Sequence, residues 1–408
     1  MTVLVVGAGI GGATLALSLQ RAGLDYLLLE QAPEFREVGA GIQLSPNGVS
    51  VLTRLGLGDD LAGFCTEPDS HKFIVWDSGE VILRTPLKPH VRAAYGHPYY
   101  HAHRADLIEA LTSRLDPARL CRSTRIVEVG QNGQGAWAVD ADGRRYDGAV
   151  LIGADGIHSV VREQVFRPEA PRPSGYVTWR GIVDSAAIAD LEIPVSAYVD
   201  MGPKLSFVYY YVSGGRQLNW LAMGQTDNPK RESWSQQAGK EEVLAGFEGW
   251  YARPRALIEA TEQPFVTALH DRDPLPGWVD GRIALTGDAA HAMLPYHAQG
   301  AVQSIEDAWV LARCLQREGG EDLPGALKRF ESLRYERANR MVLHSREAEG
   351  WYHVEEPEAV ERRNHRFRQN NARLNEGEFT RQQHWLYSYD AEKAALGTDE
   401  DWRALPTW

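Results

Sequence analysis

Residues 7–12, Gly-Ala-Gly-Ile-Gly-Gly, constrain the fold more than any other stretch. They sit between the apolar run Val3-Leu4-Val5-Val6 and a helical-looking stretch from Ala13 to Ala22, and glycine weakens both kinds of neighbour. What such glycines allow is close approach of the backbone to a bulky anion. Gly7 permits the tight turn, Gly9 removes a Cβ that would block a diphosphate, and Gly12 lets the helix pack on the strand. Unpaired amides at the helix start then face the anion, which the helix dipole favours. An ordinary tight turn between strand and helix would use the same glycines. The context favours a dinucleotide: a strand precedes, a helix follows, and a second apolar strand, Tyr26-Leu27-Leu28-Leu29, ends at Glu30, whose carboxylate can accept hydrogen bonds from a ribose.

With 408 residues, 43% hydrophobic and 24% charged, the chain can bury a large core and is expected to form two or three domains. A formal charge of -12 argues against binding nucleic acid or an anionic membrane through broad electrostatics. Cys65, Cys121 and Cys314 are far apart and lack CxxC spacing, so neither a disulfide framework nor a zinc site is expected, and a reducing cytoplasm fits. The first apolar run has no basic segment before it and no stretch approaches 18 apolar residues. These features predict a cytoplasmic protein without a cleaved leader or membrane span.

Farther along, Asn47 to Leu55 has helical apolar spacing. FIVWD and EVILR, between Phe73 and Arg84, read as strands joined at Ser78-Gly79. Helix returns at Arg104 to Leu115, and strands follow at Arg125 to Val129, Trp137 to Asp140 and Ala149 to Ile152. From Gly175 to Thr267 aromatic and β-branched residues dominate, predicting a separate antiparallel sheet, and Pro171 to Pro173 marks a crossing between domains. A last strand, Arg282 to Thr286, leads through Gly287-Asp288 to a long helix after Gly300. The expected α/β architecture is a discontinuous nucleotide-binding domain (residues 1–72, 98–170 and 270–345), an inserted sheet domain (73–97 and 171–269) and C-terminal helices (346–408).

Three further segments bear on function. Arg104 opens a helix in HAHRADL; GADGIHSVVR (153–162) leaves the end of an apolar strand; and LTGDAAH (285–291) places Asp288 just past another. Ligands of open α/β sheets usually lie at that end of the strands. These segments, with VGAGIQLSPNG (38–48) and LTGDAAHAMLPYHAQGAVQSIEDAWVLA (285–312), resemble the class A flavoprotein monooxygenases, the single-component FAD-dependent aromatic hydroxylases, over nearly the whole chain. The branch containing salicylate, 6-hydroxynicotinate and phenazine hydroxylases is similar in TWRGIV (178–183) and RDPLPGW (272–278) as well.

The resemblance implies a Rossmann-like FAD-binding domain, with the inserted sheet receiving substrate. Gly7, Gly9 and Gly12 would approach the FAD diphosphate, Glu30 the adenosine ribose, Arg104 phosphate or ribityl oxygens, and the backbone at Ile126 the adenine. Asp155 and Gly156 would serve FAD and reduced nicotinamide, and Asp288 a ribityl hydroxyl. Pro295 and the amides of Gln299, Gly300, Ala301 and Val302 would sit near the flavin, and Gly41, Ile42 and Gln43 along its edge. A helix N-terminus suits the negative charge of reduced flavin. A second glycine-rich nucleotide turn is not visible, which fits NADH or NADPH bound transiently. The implied chemistry is hydroxylation of a phenolic, pyridine or indole-like compound with O2 through a flavin C4a-hydroperoxide. Epoxidation or oxidative cyclisation by the same chemistry, or a non-catalytic FAD-binding redox sensor, are the alternatives. A monomer or homodimer is expected.

On the substrate side, a base with a pKa near the working pH would help ionise a phenol, and His297 in PYHAQG is the first candidate. Tyr209, Tyr210 and Tyr211 lie in one predicted strand, so alternate members face opposite sides; Tyr209 and Tyr211 are taken toward substrate, Tyr211 also as a catalytic candidate. Arg180 and Lys204 are further substrate candidates, although a surface lysine is the commoner role. His101 and His103 lack a carboxylate or cysteine partner for a metal, and no metal is expected. His158 and His291 are read as structural, and the charged run from Glu355 to Arg381 as solvated helices.

Overall fold

The computed structural model describes residues 1–35, 40–167, 169–225, 236–318, 320–374 and 378–398. Val38 and Gly39 of the VGAGIQLSPNG motif, part of the 171–269 insertion and the last ten residues of the tail lie outside the described residues.

In chain order, the elements that position the site are β1 (Thr2–Val6), α1 (Ile10–Arg21), β2 (Asp25–Leu29), β3 (Ser70–Val75), β4 (Val81–Pro86), β5 (Val150–Gly153) and α2 (Val160–Val165). Then come β6 (Arg172–Asp184), β7 (Ala197–Met201), β8 (Leu205–Val212), β9 (Gln217–Gln225), β10 (Phe265–Asp271) and β11 (Ile283–Leu285). The helices α3 (Gly300–Glu318), α4 (Leu323–Tyr352), α5 (Pro357–Leu374), α6 (Arg381–Tyr387) and α7 (Ala391–Leu396) follow.

A six-stranded sheet carries β11, β5, β1 and β2 side by side in parallel. Val3, Leu4 and Val5 are fully buried, as are Val150, Leu151 and Ile152. This is why these strands read as unbroken apolar runs: helices cover both faces. α1 starts at Ile10 rather than Ala13, with Gly9 as N-cap in an extended conformation (φ -64°, ψ -175°). Gly11 and Gly12 therefore lie inside the helix, where contact with neighbouring elements outweighs their low helix propensity.

An eight-stranded sheet runs Gln236–Gln237, β10, β6, β9, β8, β7, β3, β4. It is antiparallel except where β7 meets β3, a parallel junction possible because the intervening chain is long enough to cross over. Alternation splits its faces. Tyr198, Phe207, Tyr209 and Trp220 pack into one apolar cluster, and Val199, Val208, Tyr210 and Met223 into another that includes Tyr352. α5 lies over β4, where Arg368 grips Glu80 with two hydrogen bonds (3.1 and 2.8 Å) and Asn371 Oδ1 accepts the Arg84 amide (2.8 Å). The boundary expected at 345 falls within α4, which runs on to Tyr352. No helix among the described residues is long and apolar enough to cross a membrane.

Candidate active site

The glycine turn behaves as steric reasoning demands. A Cβ on Gly7 (φ +95°) would stand 2.5 Å from Ala154 O, and one on Gly12 1.9 Å from Gly7 O. A Cβ on Gly9 would meet nothing within 4 Å, and Gly9 borders a large cavity. Gly7 and Gly12 thus close the strand–helix corner, while Gly9 keeps a backbone surface open. Glu30 accepts the Ala8 amide (2.7 Å) through Oε2 and the Ala32 amide (2.8 Å) through Oε1. A carboxylate has about four lone-pair sites, so capacity remains for a ligand. Thr124 N donates to Glu30 O (2.8 Å), which brings the strand beginning at Ile126 alongside. The Ile126 side chain itself is buried in the core.

The cavity has a volume of 1220 Å³, beyond the ~300–1,000 Å³ usual for one small ligand. It runs past Gly41, Ile42, Gln43, Arg104 and Gly156 to Asp288 and Pro295, and reaches Gly300 and Ala301 at the start of α3. The first amides of a helix have no partner within it, so this end offers donors and a favourable dipole to an anion. Gln299 and Val302 do not line the cavity. Gln299 Nε2 donates to Ser45 Oγ (3.0 Å), and Val302 is buried against Gly48, so their side chains fix the helix start. Asp155 also turns away: it accepts Ser159 Oγ (2.6 Å) and the Val160 amide (2.8 Å), capping α2. Burial raises its pKa against those hydrogen bonds, and the open position falls to Gly156 (φ +77°).

Beneath the start of α3 is a fully buried charge network. Arg334 donates to Glu306 Oε2 (2.6 Å) and Asp307 Oδ1 (2.7 Å), and Arg337 to Glu306 Oε2 (3.0 Å). Asp307 Oδ2 also receives His291 Nε2 (2.6 Å) and the Gly287 amide (3.1 Å). Burial would raise the Asp307 pKa, but His291 and Arg334 override it and hold the carboxyl well below its usual range. Arg337 further donates to the carbonyls of Trp385 and Leu386, tying α6 to the same network.

At its other end the cavity opens on the eight-stranded sheet and is roofed by α4, α5 and α6. Among the three consecutive tyrosines, Tyr210 lines it. Tyr209 and Tyr211 are on the opposite face: Tyr209 stacks on Tyr198 (ring centroids 4.5 Å apart), and the Tyr211 hydroxyl donates to Ile193 O (3.2 Å). Tyr210, and not the expected Tyr209 and Tyr211, is therefore the tyrosine on the cavity face. Lys204 is likewise outside, 58% exposed and paired with Glu355 (3.1 Å). Arg180 does line the cavity, and removal from water lowers its pKa to about 10. So does His297, whose Nδ1 lies 3.3 Å from Gln382 Nε2. Burial pushes His297 down to about 4, which leaves the imidazole neutral near pH 7. Sequence reasoning missed His71, Tyr99 and the roof residues Phe367 and Phe379. His103 caps the helix that Arg104 opens, accepting the Ala105 amide (3.3 Å).

An open backbone surface at Gly9, spare acceptor capacity on Glu30 and a helix start partway along one cavity that continues to the sheet fit FAD. The chain belongs to the FAD binding domain family, whose profile matches residues 1–345, and it is a flavoprotein monooxygenase. It is 39% identical over 355 residues, 86% of this chain and 88% of the relative, to 3-amino-4-hydroxybenzoate 2-monooxygenase PtmB3 of Streptomyces platensis. It is 35% identical over 345 residues, 83% of this chain and 89% of the relative, to 6-hydroxynicotinate 3-monooxygenase of Bordetella bronchiseptica. Its fold superposes on salicylate hydroxylase, in a structure of the substrate complex, with a TM-score of 0.81 at 27% identity, covering all of this chain and 98% of that one.

Proposed function

We propose that this enzyme uses NADH or NADPH and O2 to hydroxylate a small aromatic or heteroaromatic compound. The observation that carries this reading is continuity: one cavity runs from the glycine turn, past the start of α3, onto a largely apolar sheet face. In this reading Gly9 admits the diphosphate of FAD, and Glu30 accepts from a ribose. Arg104 pairs with phosphate or ribityl oxygens, and Asp288 takes a ribityl hydroxyl. Gly41, Ile42, Gln43 and Pro295 border the ring, and the amides of Gly300 and Ala301 favour negative charge at its edge. The chemistry that bound FAD supplies is acceptance of a hydride and delivery of one oxygen atom of O2 as an electrophile. The sheet face holds the substrate ring and, under the roof of α4 to α6, keeps water from the reacting atoms. His297, neutral and held near Gln382, orients its neighbours without taking a proton.

The test is purified protein, a panel of aromatic acids, phenols and hydroxypyridines, and both nicotinamide cofactors. Bound flavin, compound-stimulated NAD(P)H oxidation and a product carrying one atom from labelled O2 are expected. Bound flavin with no compound-stimulated NAD(P)H oxidation across the panel, or a product without an atom from O2, would overturn the reading.

A further inference from the structure

Strand registers divide the cavity face of the sheet into two rows. In the first, Thr85 pairs with His71, which pairs with Ala197. The Tyr198–Tyr209 pair makes Ala197 and Tyr210 the next rung, and Tyr210 pairs with Asn219. The second row runs Leu83, Phe73, Val199, Val208 and Leu221, and ends at Arg180. The rows are two residues apart along each strand, about 7 Å, so a six-membered ring lying on the apolar row places a ring substituent on the polar one.

Most of the polar row is engaged within the protein. Tyr210 hydrogen-bonds Gln43, which also accepts the Tyr99 hydroxyl (2.6 Å), and Asn219 Oδ1 accepts the Gly41 amide (2.7 Å). Asn219 Nδ2, the two ring nitrogens of His101 and His71 Nε2 are buried without a hydrogen-bond partner, and of these three residues His71 lines the cavity. That is a cost a folded protein retains where a ligand meets the group. The groups around His71 are Thr85 on β4, His101, whose ring centroid lies 4.5 Å from that of Tyr210 on β8, and Phe73, whose ring centroid is 4.9 Å away. Phe73 continues to the roof, 5.1 Å from Phe367 of α5. Burial keeps the imidazole neutral near pH 7, so it has one donor and one acceptor nitrogen to offer.

We propose that His71 is a substrate-contacting residue, and that the substrate is a hydroxyarene whose hydroxyl bonds to this imidazole while the ring lies on Phe73, Val199, Val208 and Leu221. The inference rests on the aromatic hydroxylase reading, and its test is separable from it. Equilibrium binding to the FAD-loaded enzyme is measured by the flavin absorbance change, for wild type, His71→Leu and His71→Gln. The ligand pairs are 3-amino-4-hydroxybenzoate with 3-aminobenzoate, 6-hydroxynicotinate with nicotinate, and 3-hydroxybenzoate with benzoate. In wild type at least one hydroxylated member should bind about tenfold more tightly than its partner, the worth of one good hydrogen bond. His71→Leu should reduce that preference to within twofold, and His71→Gln should restore part of it. Unchanged flavin content and melting temperature in the variants exclude misfolding. No preference in wild type for any pair, or a preference that survives His71→Leu, overturns the proposal even if turnover establishes hydroxylation; absence of any hydroxylated product overturns the parent reading instead.

Discussion

Gly9 and Gly12 stand three residues apart in one turn, and alanine at each should fail in opposite ways. At Gly12 the new Cβ would sit 1.9 Å from the Gly7 carbonyl oxygen, and backbone cannot swing aside as a flexible side chain can. Overpacking of this kind costs about 1–3 kcal/mol, and a backbone clash belongs at the upper end. At Gly9 the Cβ meets no protein atom within 4 Å, and φ -64°, ψ -175° suits any residue. Alanine there restricts the unfolded chain but is a poorer N-cap than glycine, and these opposing effects should leave the apoprotein within ~1 kcal/mol of wild type. It intrudes instead on the diphosphate, and FAD affinity should fall at least about tenfold, ~1.4 kcal/mol. Urea denaturation of apoprotein separates the first effect, and flavin fluorescence quenching on reconstitution the second. A Gly9→Ala protein that is destabilised as much as Gly12→Ala, or that keeps wild-type FAD affinity, would refute the division of labour between these glycines.

Arg334→Leu would leave Glu306 and Asp307 short of their buried partner and should cost about 3–5 kcal/mol in urea denaturation; a loss under 1 kcal/mol would contradict the network's role. Tyr210→Phe should raise KM about three- to tenfold, whereas Tyr211→Phe and Lys204→Ala should leave kcat/KM within twofold, as steady-state kinetics with the best panel substrate will show. Asp200 is buried behind the sheet, where desolvation pushes its pKa up to about 8 despite the hydrogen bond from Tyr251 and the nearby Arg253. The folded protein therefore keeps a proton that the unfolded chain releases above the ordinary carboxylate range. That contribution to stability is full below this range and is lost as pH rises through 8. Asp200→Asn should flatten the decline between pH 5 and 8, by at most about 1.4 kcal/mol per pH unit; identical pH slopes for the two proteins would rule this out.

What could be read from sequence was local. Each glycine of the 7–12 turn answers to atoms a few residues away or on the adjoining strand, and buried parallel strands announce themselves as apolar runs. The alternation of Tyr209, Tyr210 and Tyr211 was equally legible. Which face met the cavity was not, because β7 and the distant β3 set it through pairing across long connections. His71 had a signal that went unused: the strand was taken to begin at Phe73, and a period-two extension by one step includes it. That the Asp155 side chain bonds Ser159, four residues on, and the start of a helix was not read from the sequence. The roof was hidden because α5 and α6 carry many polar residues, and the inward aromatics Phe367 and Tyr387 become visible only against Phe73 and Tyr95.

The two-sided sheet bears on how this enzyme can be altered. Phe207 stacks on Trp220 and Tyr209 on Tyr198, so changes on that side risk the scaffold before they touch chemistry. Residues one step along the same strands, Val199 and Val208, present short aliphatic side chains to the cavity. Combinatorial mutagenesis confined to such positions can reshape which molecules are accepted while the packing that keeps the protein folded goes unselected, so diversification of substrate scope and retention of architecture can proceed on interleaved residues of one strand.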